Sequence, residues 1–166
     1  MCRHLGVSRA TKSSRCDTSD LARSTRFAAW IAGLWAGVLL GVGLIGVPAG
    51  FAVDLPQMAG RAAGRMFAQE AYLSLALGVL LLIMVRSKAR VDAAAEQGSL
   101  FSTDLMLVLG TLFCTVAGYF AIQPMMEAAR AGQGRLSFGA LHAVSAGFYL
   151  LKMLLVAALA WRQTAR

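Results

Sequence analysis

Four side chains in the last third of the sequence, His142, Ser145, Tyr149 and Lys152, stand at i, i+3, i+7 and i+10. At 3.6 residues per turn this spacing strings them along one face of a helix. An imidazole, two hydroxyls and an ammonium in a line can relay protons, hold an ion or lock helices together, depending on what faces them. The candidates to face them are Asp54, Glu70, Asp104 and Gln123, each close to the end of another apolar run. Asp104 is expected on the side of Lys152. Asp54, Glu70 and Gln123 are expected on the side of His142, about 15 Å away at 1.5 Å per residue. A plainer expectation competes: Lys152 snorkels to one headgroup layer while His142 rests at the other.

Other chemistry has less support. A bis-histidine haem needs a second axial ligand, and the sole other histidine is His4, near the N-terminus. Copper(I) favours thioethers and thiolates, and Met58, Met66, Met125 and Met126 lie toward one side of the expected bundle. They show no tight MxxM or CxxC spacing, and methionine is also ordinary gap filler. Cys2, Cys16 and Cys114 frame no disulfide pattern. The P-loop, G-x-S-x-G, HExxH and dinucleotide patterns are missing. Ser145 and His142 are neighbours on one helix, but nothing completes a catalytic site with them. No enzymatic activity and no cofactor are expected.

The elements that must position these residues are membrane helices. Hydrophobic residues make up 58% of the 166 and charged residues only 14%, against about 25% charged in soluble domains. The charge falls in short clusters separated by long neutral runs. A span of roughly 30 Å of hydrocarbon takes about 20 helical residues. Four segments qualify: about 27–53, 66–85, 105–123 and 136–161. The first, Phe27–Val53, is too long for a signal-peptide core, which usually has about 7–15 residues. In the second, the charge-free stretch Ala71–Val85 is short, which draws Gln69 and Glu70 toward the interface. Pro48 is expected to bend the first helix and Pro124 to stop the third. A short amphipathic helix is expected around Pro56–Ala68. Residues 1–26 read as a disordered basic tail and 163–166 as a short second tail.

Charge sets the orientation. Eleven Lys and Arg fall on the side of the two termini and four on the opposite side, which places both termini in the cytoplasm. The net charge of +8 then reflects topology, and nucleic acid is not an expected partner. The bilayer is one, together with a second copy or another membrane protein. Because lipid is as apolar as leucine, helices associate where backbones approach closely. Gly33, Gly37 and Gly41 on the first helix and Gly110 and Gly118 on the third are the expected packing positions, within the chain or between copies.

Several local patterns occur in a familiar order. Leu34-Trp35-Ala36-Gly37 leads to Pro48 and Phe51. Ala59-Gly60-Arg61 follows, with Gly64, Phe67 and Tyr72. Ile122-Gln123-Pro124 ends the third helix, and Phe138-Gly139-Ala140-Leu141-His142-Ala143-Val144-Ser145 begins the fourth. Over roughly residues 28–162 the chain resembles the bacterial domain of unknown function 4149 family, which is similar to the eukaryotic transmembrane protein 205-like domain. The positions that carry the pattern are Pro48, Gly60, Arg61, Pro124, Leu141, His142 and Ser145; Lys152 is outside it. The resemblance implies a four-helix integral membrane protein. Bacterial members have no assigned activity, and eukaryotic relatives are linked to tolerance of a platinum drug.

The expectation is therefore an all-α integral membrane four-helix bundle in a bacterial inner membrane, with both termini inside. It would serve as a binding or structural module. Small-molecule or metal-ion handling through His142, Glu70, Gln123 and the methionines is the alternative, and a haem-dependent redox protein is the least favoured.

Overall fold

In hydrocarbon every backbone amide must find its partner inside the segment, so long apolar runs fold as helices. The computed structural model describes residues 7–94 and 102–165, with side-chain surroundings from residue 23 onward. Its elements are α1 (Val7–Leu40), a π-helical segment (Gly41–Gly46), α2 (Val47–Val53), α3 (Pro56–Ala94), α4 (Thr103–Thr115), a second π-helical segment (Val116–Ala121), α5 (Ile122–Arg130) and α6 (Phe138–Thr164). They make four helices long and apolar enough to cross a membrane: Arg23–Val53, Pro56–Ala94, Thr103–Arg130 and Phe138–Thr164. The protein is a multi-pass membrane four-helix bundle.

The boundaries differ from expectation where packing outlasts the apolar run. In the second span the buried residues Ala59, Ala63, Glu70, Ser74, Gly78, Leu81, Val85 and Ala89 recur at intervals of three, four or seven. That stripe passes straight through both expected ends, so α3 has 39 residues, about 58 Å at 1.5 Å per residue. The expected separate amphipathic helix at Pro56–Ala68 is its first turns. The helix of the first span starts at Val7, so residues 7–26 are helical instead of disordered; residues 1–6, with Cys2 and His4, lie outside the described residues. Gln163 and Thr164, expected in a tail, belong to α6.

Pro124 does not stop the third helix. Proline removes an amide donor and its ring presses on the carbonyl four residues back. Here the π-helical turn at Val116–Ala121 comes just before it, and the helix runs on to Arg130. The same solution appears ahead of Pro48, where Gly41–Gly46 is π-helical and Pro48 sits in the first turn of α2. The α5–α6 connection turns on Gly132, whose φ of 73° is a left-handed conformation that glycine adopts without steric cost. Ser137 then caps α6, its hydroxyl accepting from the Ala140 amide at 3.2 Å.

The spans pack in a ring. α6 contacts α1 and α4, and α3 contacts the same two, so the second and fourth spans face each other across the diagonal. One apolar core joins Ala28, Ile31, Trp35 and Leu39 to Leu81, Val85, Leu105, Val108, Val156 and Leu159. A smaller one at the other end joins Ile122, Met126 and Leu141. On the outside, large apolar side chains such as Trp30, Leu34, Ile45, Leu55, Ile83, Phe113 and Leu154 are exposed, as a bilayer-facing surface requires.

Candidate functional site

Between the two apolar cores lies a polar layer built around Glu70 and Lys152, both buried. Lys152 Nζ stands 2.8 Å from each carboxylate oxygen of Glu70. Ser74, one helical turn beyond Glu70, donates its hydroxyl proton to Glu70 Oε1. The same Ser74 oxygen accepts from Trp35 Nε1 at 2.8 Å. Lys152 Nζ also lies 5.0 Å from the ring centroid of Tyr149, within reach of a cation–π attraction. The Tyr149 ring meets Phe67 edge-on at 5.2 Å.

Two further bonds tie α6 to the end of α1 and to the second π-helical segment. The Tyr149 hydroxyl donates to the Leu39 carbonyl at 2.8 Å. The Ser145 hydroxyl donates to the Gly118 carbonyl at 2.7 Å. Both approaches depend on a missing side chain. A Cβ on Gly43 would lie 2.7 Å from Tyr149 Cε1, and one on Gly118 would lie 2.5 Å from Phe148 Cβ. Through these contacts the polar layer holds all four spans.

Three of the four stripe residues therefore point inward, and the fourth does not. His142 is exposed, its ring stacked on Phe138 at 5.9 Å, while Arg130 Cζ lies 4.5 Å from the centroid of the same Phe138 ring. Helical geometry explains this. At 100° per residue Lys152 and the buried Leu141 lie within about 20° of one another, whereas His142 is about 80° from Lys152. The stripe is wide, and His142 is on its rim.

The expected pairing of Lys152 with Asp104 is also incorrect. Asp104 accepts from Arg162 Nε at 2.8 Å and from Gln163 Nε2 at 3.2 Å. It has the expected helix as partner, but about 15 Å nearer that helix's C-terminal end, ten residues on from Lys152. Lys152 meets Glu70 because α3 starts at Pro56, which sets Glu70 about 21 Å along that helix and away from the interface. Asp54 is exposed at the α2–α3 turn and Gln123 is half-buried; among the described residues neither bonds to His142.

The remaining expected positions divide. Gly110 and Gly118 pack closely, against Leu155 and Phe148. Gly33, Gly37 and Gly41 do not pack within the chain: a Cβ on any of them would meet nothing within 4 Å. Gly43, Gly46 and Gly78 take their place, facing Tyr149, Met66 and Leu112. Pro48 and Pro124 are exposed beside the π-helical turns, and Leu141 anchors the smaller core. Gly60 is half-buried, and Arg61 donates to Met58 Sδ at 3.3 Å. The methionines are dispersed, Met66 against Gly46 and Met126 in the smaller core.

Trp35 and Ser74 join the layer although their residue types alone do not single them out. Ser74 carries a legible signal, since it stands at i+4 from Glu70 on the same face. Trp35 carries a weaker one: a tryptophan buried at mid-span needs an acceptor for its indole N–H.

What the layer can do chemically follows from its closure. Among the described residues, every buried side-chain nitrogen or oxygen has a hydrogen-bond partner. The same residues hold no group of three or more His, Cys, Asp or Glu side chains placed to bind a metal. Charge is neutralised within the layer, and the cost of leaving either ion unpaired in hydrocarbon holds the diagonal spans in register.

Comparison with known proteins places the chain by its first three spans. No curated protein and no solved structure matches it. One family model does, over residues 30–135. The matched segment contains Trp35, Glu70 and Ser74 and stops before α6, so Leu141, His142, Ser145 and Lys152 lie beyond it. By that match, which takes in most of the bundle, the chain belongs to the family described as Domain of unknown function (DUF4149).

Proposed function

We propose that the protein is a non-enzymatic structural and binding module of a bacterial inner membrane, inserted with both termini in the cytoplasm. The observation that carries this reading is the closed Trp35–Ser74–Glu70–Lys152 network. Its donors and acceptors serve one another, which suits a lock between spans better than a path for a solute. Metal-ion handling through His142, Glu70, Gln123 and the methionines has less support, because His142 stacks on Phe138 and Glu70 is held by Lys152.

The test compares Glu70→Gln, Lys152→Met and the double variant Glu70→Met/Lys152→Met for abundance in membranes and for thermal unfolding in detergent. Removing one partner of a buried pair typically costs about 3–5 kcal/mol, whereas replacing both by apolar residues is often neutral. A lock predicts two weak single variants and a double variant restored to near wild-type stability. A stable Lys152→Met protein would refute it.

A further inference from the structure

We propose that a groove along the second half of α1, beside the C-terminal end of α6, binds an anionic phospholipid of the surrounding bilayer. The groove is open and has a volume of about 1130 Å³, somewhat above the roughly 300–1,000 Å³ usual for ligand sites. Gly33 and Gly37 line it along α1, together with Arg26, Lys88 and Gln163.

Depth within the membrane assigns the occupant. Arg26 is the last residue before the apolar run of the first span, and Lys88 stands three residues past Val85, the end of the charge-free stretch of the second. Both cations therefore mark the same interface. Gly33 and Gly37 lie about 10 and 16 Å below Arg26 on the helix axis, in the hydrocarbon. Trp30, exposed on the groove wall one turn below Arg26, is at the level where aromatic residues line membrane interfaces. A charged head above an apolar channel is the shape of a phospholipid with one chain laid along the glycines.

Charge narrows the class. Two cations line the groove, and among the described residues no carboxylate does. Basic pockets between transmembrane helices favour anionic headgroups. The same charges disfavour a second copy as occupant. Two copies share one orientation in the membrane, so packing this face on itself would set Arg26 against Arg26 at equal depth. The leaflet follows from the proposed orientation, but the binding does not depend on it.

The test titrates the purified full-length chain with dioleoylphosphatidylglycerol or dioleoylphosphatidylcholine and reads retained lipid by native mass spectrometry. Phosphatidylglycerol is expected to be retained preferentially. Arg26→Gln and Lys88→Gln should each weaken it about fivefold, since a cation near an anionic surface contributes about 1 kcal/mol. Gly37→Leu should expel both lipids while the melting temperature holds, because its Cβ meets nothing within 4 Å. Equal retention of the two lipids, or unchanged phosphatidylglycerol binding in these variants, would overturn the site. Displacement of the lipid by soluble glycerol 3-phosphate at equal concentration would point to a free-phosphate site and overturn it. A Gly37→Leu change in oligomeric mass with lipid binding intact would make the groove a contact between copies, which also overturns it.

Discussion

The Tyr149 hydroxyl reaches the Leu39 carbonyl of the adjacent first span by passing over Gly43, in the π-helical segment ahead of Pro48. The wide turn thus relieves the proline and also receives a polar side chain from the fourth span. Tyr149→Phe keeps the ring and removes the bond. It should cost about 1 kcal/mol, the ordinary net value of a hydrogen bond. Gly43→Ala forces the ring itself to move and should cost more, in the range of about 1–3 kcal/mol for overpacking. Thermal or denaturant unfolding in detergent ranks the two; equal melting of Gly43→Ala and wild type would contradict the contact.

Glycines of similar sequence context should respond differently. Gly118→Ala would press its new methyl group on Phe148 Cβ, an atom close to the α6 backbone that cannot swing aside. A loss of about 1–3 kcal/mol is expected. At Gly33 the added methyl group meets nothing, and alanine favours the helix by about 1 kcal/mol. Gly33→Ala should therefore leave melting unchanged or raise it. Reversal of that order would show that the packing faces are misassigned.

At the end of the bundle, Asp104 is buried while Arg162 is 38% exposed. Asp104 also stands in the first turn of α4 and Arg162 in the last turn of α6, so each complements its own helix dipole. Arg162→Ala leaves Gln163 still bonded to the buried Asp104 carboxylate. It should cost more than the roughly 0–1 kcal/mol of an exposed pair but less than the about 3–5 kcal/mol of a fully buried one. Asp104→Ala strands two donors, Arg162 Nε and Gln163 Nε2, and should cost more. Comparing the two melting curves decides this.

A pair of C-terminal fusions tests the proposed orientation. With an even number of spans and the termini inside, a green fluorescent protein fusion should fluoresce and an alkaline phosphatase fusion should be inactive. Active phosphatase would place the C-terminus outside and withdraw the proposed leaflet of the groove.

Much of this architecture was readable from composition and spacing. Four spans, the inward face of Ser145, Tyr149 and Lys152, and close packing at Gly110 and Gly118 all follow from periodicity and residue size. The misreadings share a physical origin. Depth was inferred from where apolar runs begin and end, but α3 is set by its buried stripe, which carries Glu70 well inside and makes it the partner of Lys152. Pro124 has the chemistry of a stop because proline breaks an α-helix, yet a π-helical turn lets the helix proceed. Gly33, Gly37 and Gly41 have the spacing of a packing motif but face no neighbour within the chain, because spacing alone does not say whether a partner helix comes from the same chain or another copy. His142 shows the limit of a periodic stripe: about 80° of rotation separates it from Lys152.

The diagonal placement of Glu70 and Lys152 also bears on how the chain is made. Glu70 precedes its cation by 82 residues, about 4–16 s of synthesis at about 5–20 residues per second. During that interval the second span is in or beside the insertion machinery with a carboxyl group at mid-depth and no lysine to meet it. Ser74 travels on the same helix and Trp35 is already present, so the carboxyl group can be solvated by a serine–indole relay while it waits. The fourth span, with its own uncompensated ammonium, then has one low-energy destination. Arrival of Lys152 neutralises the waiting carboxylate, and a chain that stops short of it leaves that acid without its cation.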